Sequence, residues 1–174
     1  MRIGIMGSQG SGKSTQSKLL AEKLDVCVVD TGQLIRDRGE INDVIGKSIQ
    51  EAVESGNLVA NEIAAEILKI RLQEMDCQNG FIVDGYPRSL KQLADFDPQY
   101  QKVFYLEISD EVAIERLSKR GRVDDTPAGI KRRLEIFHQK TKEVLNHYQD
   151  LGILINIDGN KNQDEVFQSI EEQI

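Results

Sequence analysis

Apolar residues along this chain fall into five short runs, separated by longer stretches in which they recur every three or four positions. The runs are Ile3-Gly4-Ile5-Met6, Val26-Cys27-Val28-Val29, Phe81-Ile82-Val83, Val103-Phe104-Tyr105-Leu106 and Ile153-Leu154-Ile155-Asn156-Ile157. Runs this apolar suit strands of a sheet covered on both faces. Between them, Leu20 and Leu24 lie one helical turn apart, and Ile63, Ile67, Leu68, Ile70, Leu72 and Met75 predict a helix near 61–76. Ile130, Leu134, Phe137, Thr141, Val144, Leu145 and Tyr148 step by threes and fours, which predicts one long amphipathic helix over 126–149. Val166, Phe167 and Ile170 predict a last helix. Strands alternating with helices imply an α/β fold with a five-stranded parallel sheet flanked by helices. Residues 31–59 break the rhythm: they are polar and helix-rich, with Gly32, Gly39, Gly46 and Gly56, and read as a small mobile insertion.

Composition narrows the class. The 174 residues fit a single domain, large enough to need no disulfide framework. Cys27 and Cys77 lie far apart and form no CxxC or Cys/His cluster, which argues against a structural zinc site and for a reducing compartment. No apolar run is long enough to span a membrane, and the N-terminus reaches a Gly-rich motif too early for a signal peptide. The expected location is cytoplasmic. A formal net charge of −7 disfavours a nucleic-acid surface, and as an average it also disfavours phosphate ligands.

The first motif contradicts that average. Gly7-Ser8-Gln9-Gly10-Ser11-Gly12-Lys13-Ser14 matches G-x-x-x-x-G-K-[ST], with a predicted strand before it and a helix after. Glycines let backbone N–H groups turn inward as an anion nest, and the helix directs its positive dipole end to the same place. Lys13 is positioned for the β/γ-phosphates, and Ser14 or Thr15 for Mg²⁺. The plainer alternative is a Gly/Ser turn capping a helix. Asp84 closes the third strand, where a Mg²⁺ shell would be oriented, although Asp before Gly is also ordinary turn chemistry. Gly85-Tyr86-Pro87-Arg88 follows, and Pro87 makes this a rigid turn that presents Arg88 at the ligand-collecting edge of the sheet. A fixed guanidinium there suits bidentate phosphate binding.

These segments, with Asp30-Thr31-Gly32-Gln33-Leu34-Ile35-Arg36, Gly56-Asn57-Leu58-Val59, Gln92 and Arg122-Val123-Asp124-Asp125, stand in an order and spacing that resembles the adenylate kinase family of nucleoside monophosphate kinases. The resemblance covers essentially the whole chain. It implies a P-loop kinase fold with a nucleoside-monophosphate-binding insertion over 30–59 and a minimal lid over 119–126. It also implies reversible, Mg-dependent phosphoryl transfer from ATP to AMP, giving two ADP.

By position, the resemblance assigns Gly10, Ser11, Gly12, Lys13, Ser14, Thr15, Arg120 and Lys161 to ATP, with Ser14, Thr15 and Asp84 toward Mg²⁺. It assigns Thr31, Arg36, Asn57, Leu58, Val59, Gly85, Arg88 and Gln92 to AMP. Lys13, Arg88, Arg122 and Arg133 would stabilise the transferring phosphoryl group, the last two also touching AMP. The expected partners are ATP and AMP, acting on a monomer, with no nucleic acid or membrane. Thr31 and Ser89 favour AMP over UMP or CMP, which remain the alternative acceptors. A nucleotide-binding module without catalysis is the remote alternative. His138 and His147 lie off the apolar stripe and read as solvated, which suits a reaction that needs no general base. Lys131 and Arg132 read as surface.

The chain departs from the family in three places. Only Gly121 separates Arg120 from Arg122, so there is no long lid, and no cysteine lies there to bind zinc. Gln33 stands where the family often has Asp, and Ser8-Gln9 replaces a commoner small residue and Pro. Charge is also unevenly placed: residues 116–133 carry seven Lys/Arg against two Asp, a net +5 in an acidic chain. Positive charge therefore collects where nucleotide phosphates are expected.

Overall fold

The computed structural model describes residues 1–121 and 125–174. All five apolar runs are strands: β1 (Arg2–Gly7), β2 (Cys27–Asp30), β3 (Phe81–Asp84), β4 (Lys102–Glu107) and β5 (Leu154–Asp158). They form one parallel sheet in the order β2-β3-β1-β4-β5. Side chains alternate between two cores. Ile3, Ile5, Ile82, Phe104 and Leu106 pack on one face with Leu20 of α1 (Lys13–Leu24) and Val166 and Ile170 of α9 (Gln163–Glu171). Val29, Val83 and Val103 pack on the other, with Leu68 of α4 (Asn61–Leu72) and Val144, Leu145 and Tyr148 of α8 (Lys142–Asp150). Gly4 is required by this second layer, because a Cβ there would meet the Tyr100 ring at 2.9 Å.

The remaining helices are α2 (Thr31–Gly39), α3 (Val44–Glu54), α5 (Leu90–Asp95), α6 (Asp110–Arg120) and α7 (Pro127–Ile136). The stretch expected as one helix over 126–149 is interrupted. Residues Phe137–Thr141 form a π-turn between α7 and α8. The apolar period survives across it, since Phe137 and Thr141 are both buried. Such turns often occur at functional sites, and here Thr141 Oγ1 donates to the Arg88 carbonyl at 3.1 Å. The helix expected over 61–76 stops at Leu72, followed by a 3₁₀ turn at Met75–Cys77.

That turn corrects the reading of the cysteines. Cys27 and Cys77, 50 residues apart in sequence, are joined as a disulfide. The absence of metal-type spacing says nothing about whether two thiols meet. The turn before β3 carries Cys77 to the start of the neighbouring strand β2, where Cys27 sits. The bond links the ends of the whole segment holding α2, α3 and α4.

Candidate active site

The parallel strands all end at one edge, and the loops leaving them line a cavity of about 430 Å³. Its floor is the phosphate loop. Gly10 and Gly12 have φ of 86° and 92°, the left-handed region that glycine adopts freely. Gly12 caps α1 without a side chain, and space lies open where its Cβ would be. The N-terminal end of α1 therefore faces the cavity with no side chain capping it. Ser11 is buried behind the loop rather than on the cavity wall; its N–H closes the loop on Ser8 O at 3.3 Å.

Lys13 donates to Ser8 O at 2.8 Å. Burial pulls its ammonium down to about 8, against the attraction of Asp84 and Asp30. Burial likewise lowers the Arg88 guanidinium and raises the Asp84 carboxyl. Asp84 is buried, while Lys13 and Arg88 keep part of their surface open to the cavity. Ser14 Oγ donates to Asp84 Oδ2.

The turn after β3 is braced on every side. Tyr86–Pro87 is a cis peptide. The Tyr86 hydroxyl donates to Gln92 O at 2.6 Å, and the Tyr100 hydroxyl to Tyr86 O at 2.9 Å. Arg88 Nε donates to Gly85 O at 3.0 Å, and its backbone N–H to Gln92 Oε1 at 2.8 Å. Arg88 is thereby aimed into the cavity as its motif implied. Ser89 is occupied elsewhere: it caps α5 and bonds Asn61 at 2.9 Å, off the cavity wall.

From the insertion, Thr31, Arg36, Asn57, Leu58 and Val59 all reach the cavity. Gln33 Oε1 accepts from Arg36 Nη2 at 2.9 Å, so a neutral amide positions the guanidinium. Arg132, expected as surface, is exposed, and its Nε donates to Asn57 Oδ1 at 3.0 Å, joining the insertion to α7. Gly56 approaches Gly129 in the same seam; a Cβ there would meet Gly129 O at 3.2 Å.

On the opposite wall, Arg120 and Arg133 converge on Asp125, whose side chain is 2% exposed. Arg120 makes a two-pronged pair at 2.8 and 2.7 Å, and Arg133 Nη2 reaches Asp125 Oδ1 at 2.8 Å. Arg122 lies outside the described residues. Lys161 is exposed and does not line the cavity.

Arg116 was not singled out in the sequence, yet it lines the cavity and donates to Gly159 O at 3.0 Å and Gly10 O at 3.4 Å. It ties the loop after β5 to the phosphate loop. Its spacing of four from Arg120, on one face of α6, is the signal that could have found it. Neither histidine lines the cavity; His138 is half-exposed and pairs with Asp110 at 2.9 Å.

The model of the family described as "Adenylate kinase" matches residues 5–153. Among curated relatives, a protein named adenylate kinase from Bifidobacterium longum is 38% identical, over 95% of this chain and 95% of its own. One from Xylella fastidiosa is 36% identical over 98% and 97%, and one from Corynebacterium urealyticum 33% over 97% and 96%.

Proposed function

The chain belongs to the adenylate kinase family, and from that premise we propose that this cavity carries out the family's reaction: reversible transfer of the γ-phosphoryl group from Mg-ATP to AMP, giving two ADP. The observation that carries the reading is the meeting of two phosphate-binding halves in one cavity. The anion nest with Lys13 forms one half, and Arg36 and Arg88 form the other.

The backbone N–H groups at Gly10 and Gly12, with Lys13, hold the ATP phosphates. Ser14, Thr15 and Asp84 offer the hard oxygen donors that Mg²⁺ prefers, and the ion when bound neutralises phosphate charge. Arg36 and Arg88 hold the AMP phosphate. Thr31, Asn57, Leu58, Val59 and Gln92 enclose its base; the Gln92 Oε1 is taken by Arg88 N–H, which leaves its amide NH₂ to face the ligand. An oxygen of the AMP phosphate forms the new bond to the γ-phosphorus as the bond to the bridging ADP oxygen breaks. That oxygen already bears negative charge, so no general base is needed. Arg88, Arg122 and Arg133 offset the charge on the transferring group, and such an arginine contributes about 10³–10⁵ in rate. Arg116 and Arg120 wall the ATP side.

Residues 30–59 act as the AMP-binding unit and 119–126 as the lid, on a monomer. None of the helices among the described residues is long and apolar enough to cross a membrane. A cytoplasmic location belongs to this reading, and the Cys27–Cys77 disulfide runs against the reducing compartment that the cysteine spacing suggests. The test of the acceptor is a phosphotransfer assay with Mg-ATP and a panel of monophosphates. AMP is expected to have the highest kcat/KM; a higher value for UMP or CMP would overturn the base assignment.

A further inference from the structure

Two carboxylates stand side by side at the cavity floor, and Asp84 alone has a role above. β2 and β3 pair with Asp30 directly opposite Asp84, so adjacent strands both end on an acid. Ser14 faces both. Its Oγ bonds Asp84 Oδ2 and lies 3.5 Å from Asp30 Oδ2. Asp30 uses its other oxygen to cap α2, Oδ1 accepting from Gln33 N at 2.9 Å. The cap thus leaves the second oxygen turned toward Ser14. The next side chain, Thr31, is 2% exposed, and its hydroxyl has no hydrogen-bond partner among the described residues. Asp30 and Thr31 both line the cavity. A buried hydroxyl without a partner at a cavity wall points to a ligand that supplies one.

Capping alone does not account for an acid at position 30. Ser or Asn caps a helix as well, and a second carboxylate beside the buried Asp84 is repulsive. Lys13 and Arg88 already offset part of that repulsion, and a cation arriving between the two carboxylates relieves more of it. Mg²⁺ keeps most of its water and binds through one or two carboxylates together with substrate phosphates. A hydroxyl flanked by two carboxylates next to an anion nest matches that donor set.

We propose that Asp30 is a second positioning carboxylate of the reaction: with Asp84, and across Ser14, it orients the water shell of the Mg²⁺ that accompanies the nucleotide. The inference rests on the Mg-nucleotide reading above. It gives Asp30 two separable duties, a cap through Oδ1 and a charge through Oδ2.

Asp30→Asn and Asp30→Ser keep a capping oxygen and remove the charge. Calorimetric titration of ATP into each protein, with saturating Mg²⁺ and with a chelator, reads the ratio of the two affinities. In both variants that ratio is expected to fall about tenfold or more. Metal-free ATP should bind more tightly than to the parent protein, and the melting temperature should not fall. An unchanged ratio in both variants, with or without a loss of melting temperature, would make Asp30 a cap only. Asp84→Asn separates the two levels of the argument. If it lowers the ratio and the Asp30 variants do not, this inference fails and the proposed function stands. If none of the three changes the ratio, the Mg-nucleotide reading fails as well.

Discussion

The carboxylate of Asp125 is shared between Arg120 and Arg133, which come from two different helices and meet it at 2.7 and 2.8 Å. One buried acid thus sets the position of two guanidinium groups on the cavity wall. Without it those charges would lose a partner in a partly dry site. Asp125→Ala is expected to lower stability by about 3 kcal/mol, the scale for breaking a buried pair, and to lower kcat. Urea unfolding and steady-state kinetics on one preparation check both. A variant of parental stability and turnover would remove Asp125 from this account.

Arg88 differs because its guanidinium bonds a backbone carbonyl, and among the described residues no direct ion pair neutralises its charge. Removing it should cost the fold little and the reaction much. Arg88→Ala is expected to cut kcat by about 10³ or more, the effect of deleting one arginine from the transferring phosphoryl group, with an unchanged melting transition. Arg88→Lys should recover only part, since a single ammonium cannot reproduce a planar fork. Near-normal turnover in Arg88→Ala would contradict the phosphate role.

Lys13 provides a pH signature. Its folded value is depressed to about 8 from 10.5. Between these values the unfolded chain holds a proton that the native chain does not, so this group's contribution to stability rises with pH across that window. Below it, Lys13 is charged in a buried site, at a cost to the fold. Lys13→Met should therefore be more stable than the parent at pH 7, with the difference shrinking toward pH 10. ATP binding should raise the Lys13 value and take up protons near pH 8.5. Titrations in buffers of different ionisation enthalpy would detect this uptake, and it should vanish in Lys13→Met. Identical uptake in parent and variant would assign the proton to another group.

The Cys27–Cys77 bond closes a loop spanning a sequence separation of 50 residues. In the chain-entropy account a loop of that size contributes about 4 kcal/mol, and typical measured values are about 2–4. Cys27→Ser with Cys77→Ser, or reduction of the parent, is expected to lower stability by that amount. Neither cysteine lines the cavity, so turnover at low temperature should hold. Equal unfolding midpoints with and without reductant would show that the bond does not stabilise the fold.

Those four expectations draw unequally on the sequence. The inner strands β1, β3 and β4 were legible because they are largely buried on both faces, and burial on that scale leaves a continuous apolar run; the edge strands β2 and β5 are only partly buried yet keep apolar runs. The phosphate loop and the turn at Arg88 were legible because glycine and proline do backbone work that few residues share. Asp125 acting on two arginines was not legible, since a contact between α6 and α7 has no fixed sequence spacing. Arg132 reads as surface from its basic run on a helix, and it is exposed; its bond to Asn57 has no signal in the sequence because it depends on how the insertion docks on α7. The disulfide was hidden for a related reason: its two cysteines meet through strand order, which pairs β2 with β3 across the whole insertion. The π-turn at Phe137–Thr141 left the apolar period nearly intact, so periodicity could not distinguish it from continuous helix.

The most direct test of the central claim uses ADP alone. A protein that moves a phosphoryl group between two nucleotide sites in one cavity must also run backward from a single substrate. With Mg²⁺ and ADP as the only nucleotide, ³¹P NMR or chromatography should show ATP and AMP appearing together in equal amounts, and the chelator should stop it. ADP that stays unchanged, or that yields AMP and free phosphate without ATP, would contradict the account.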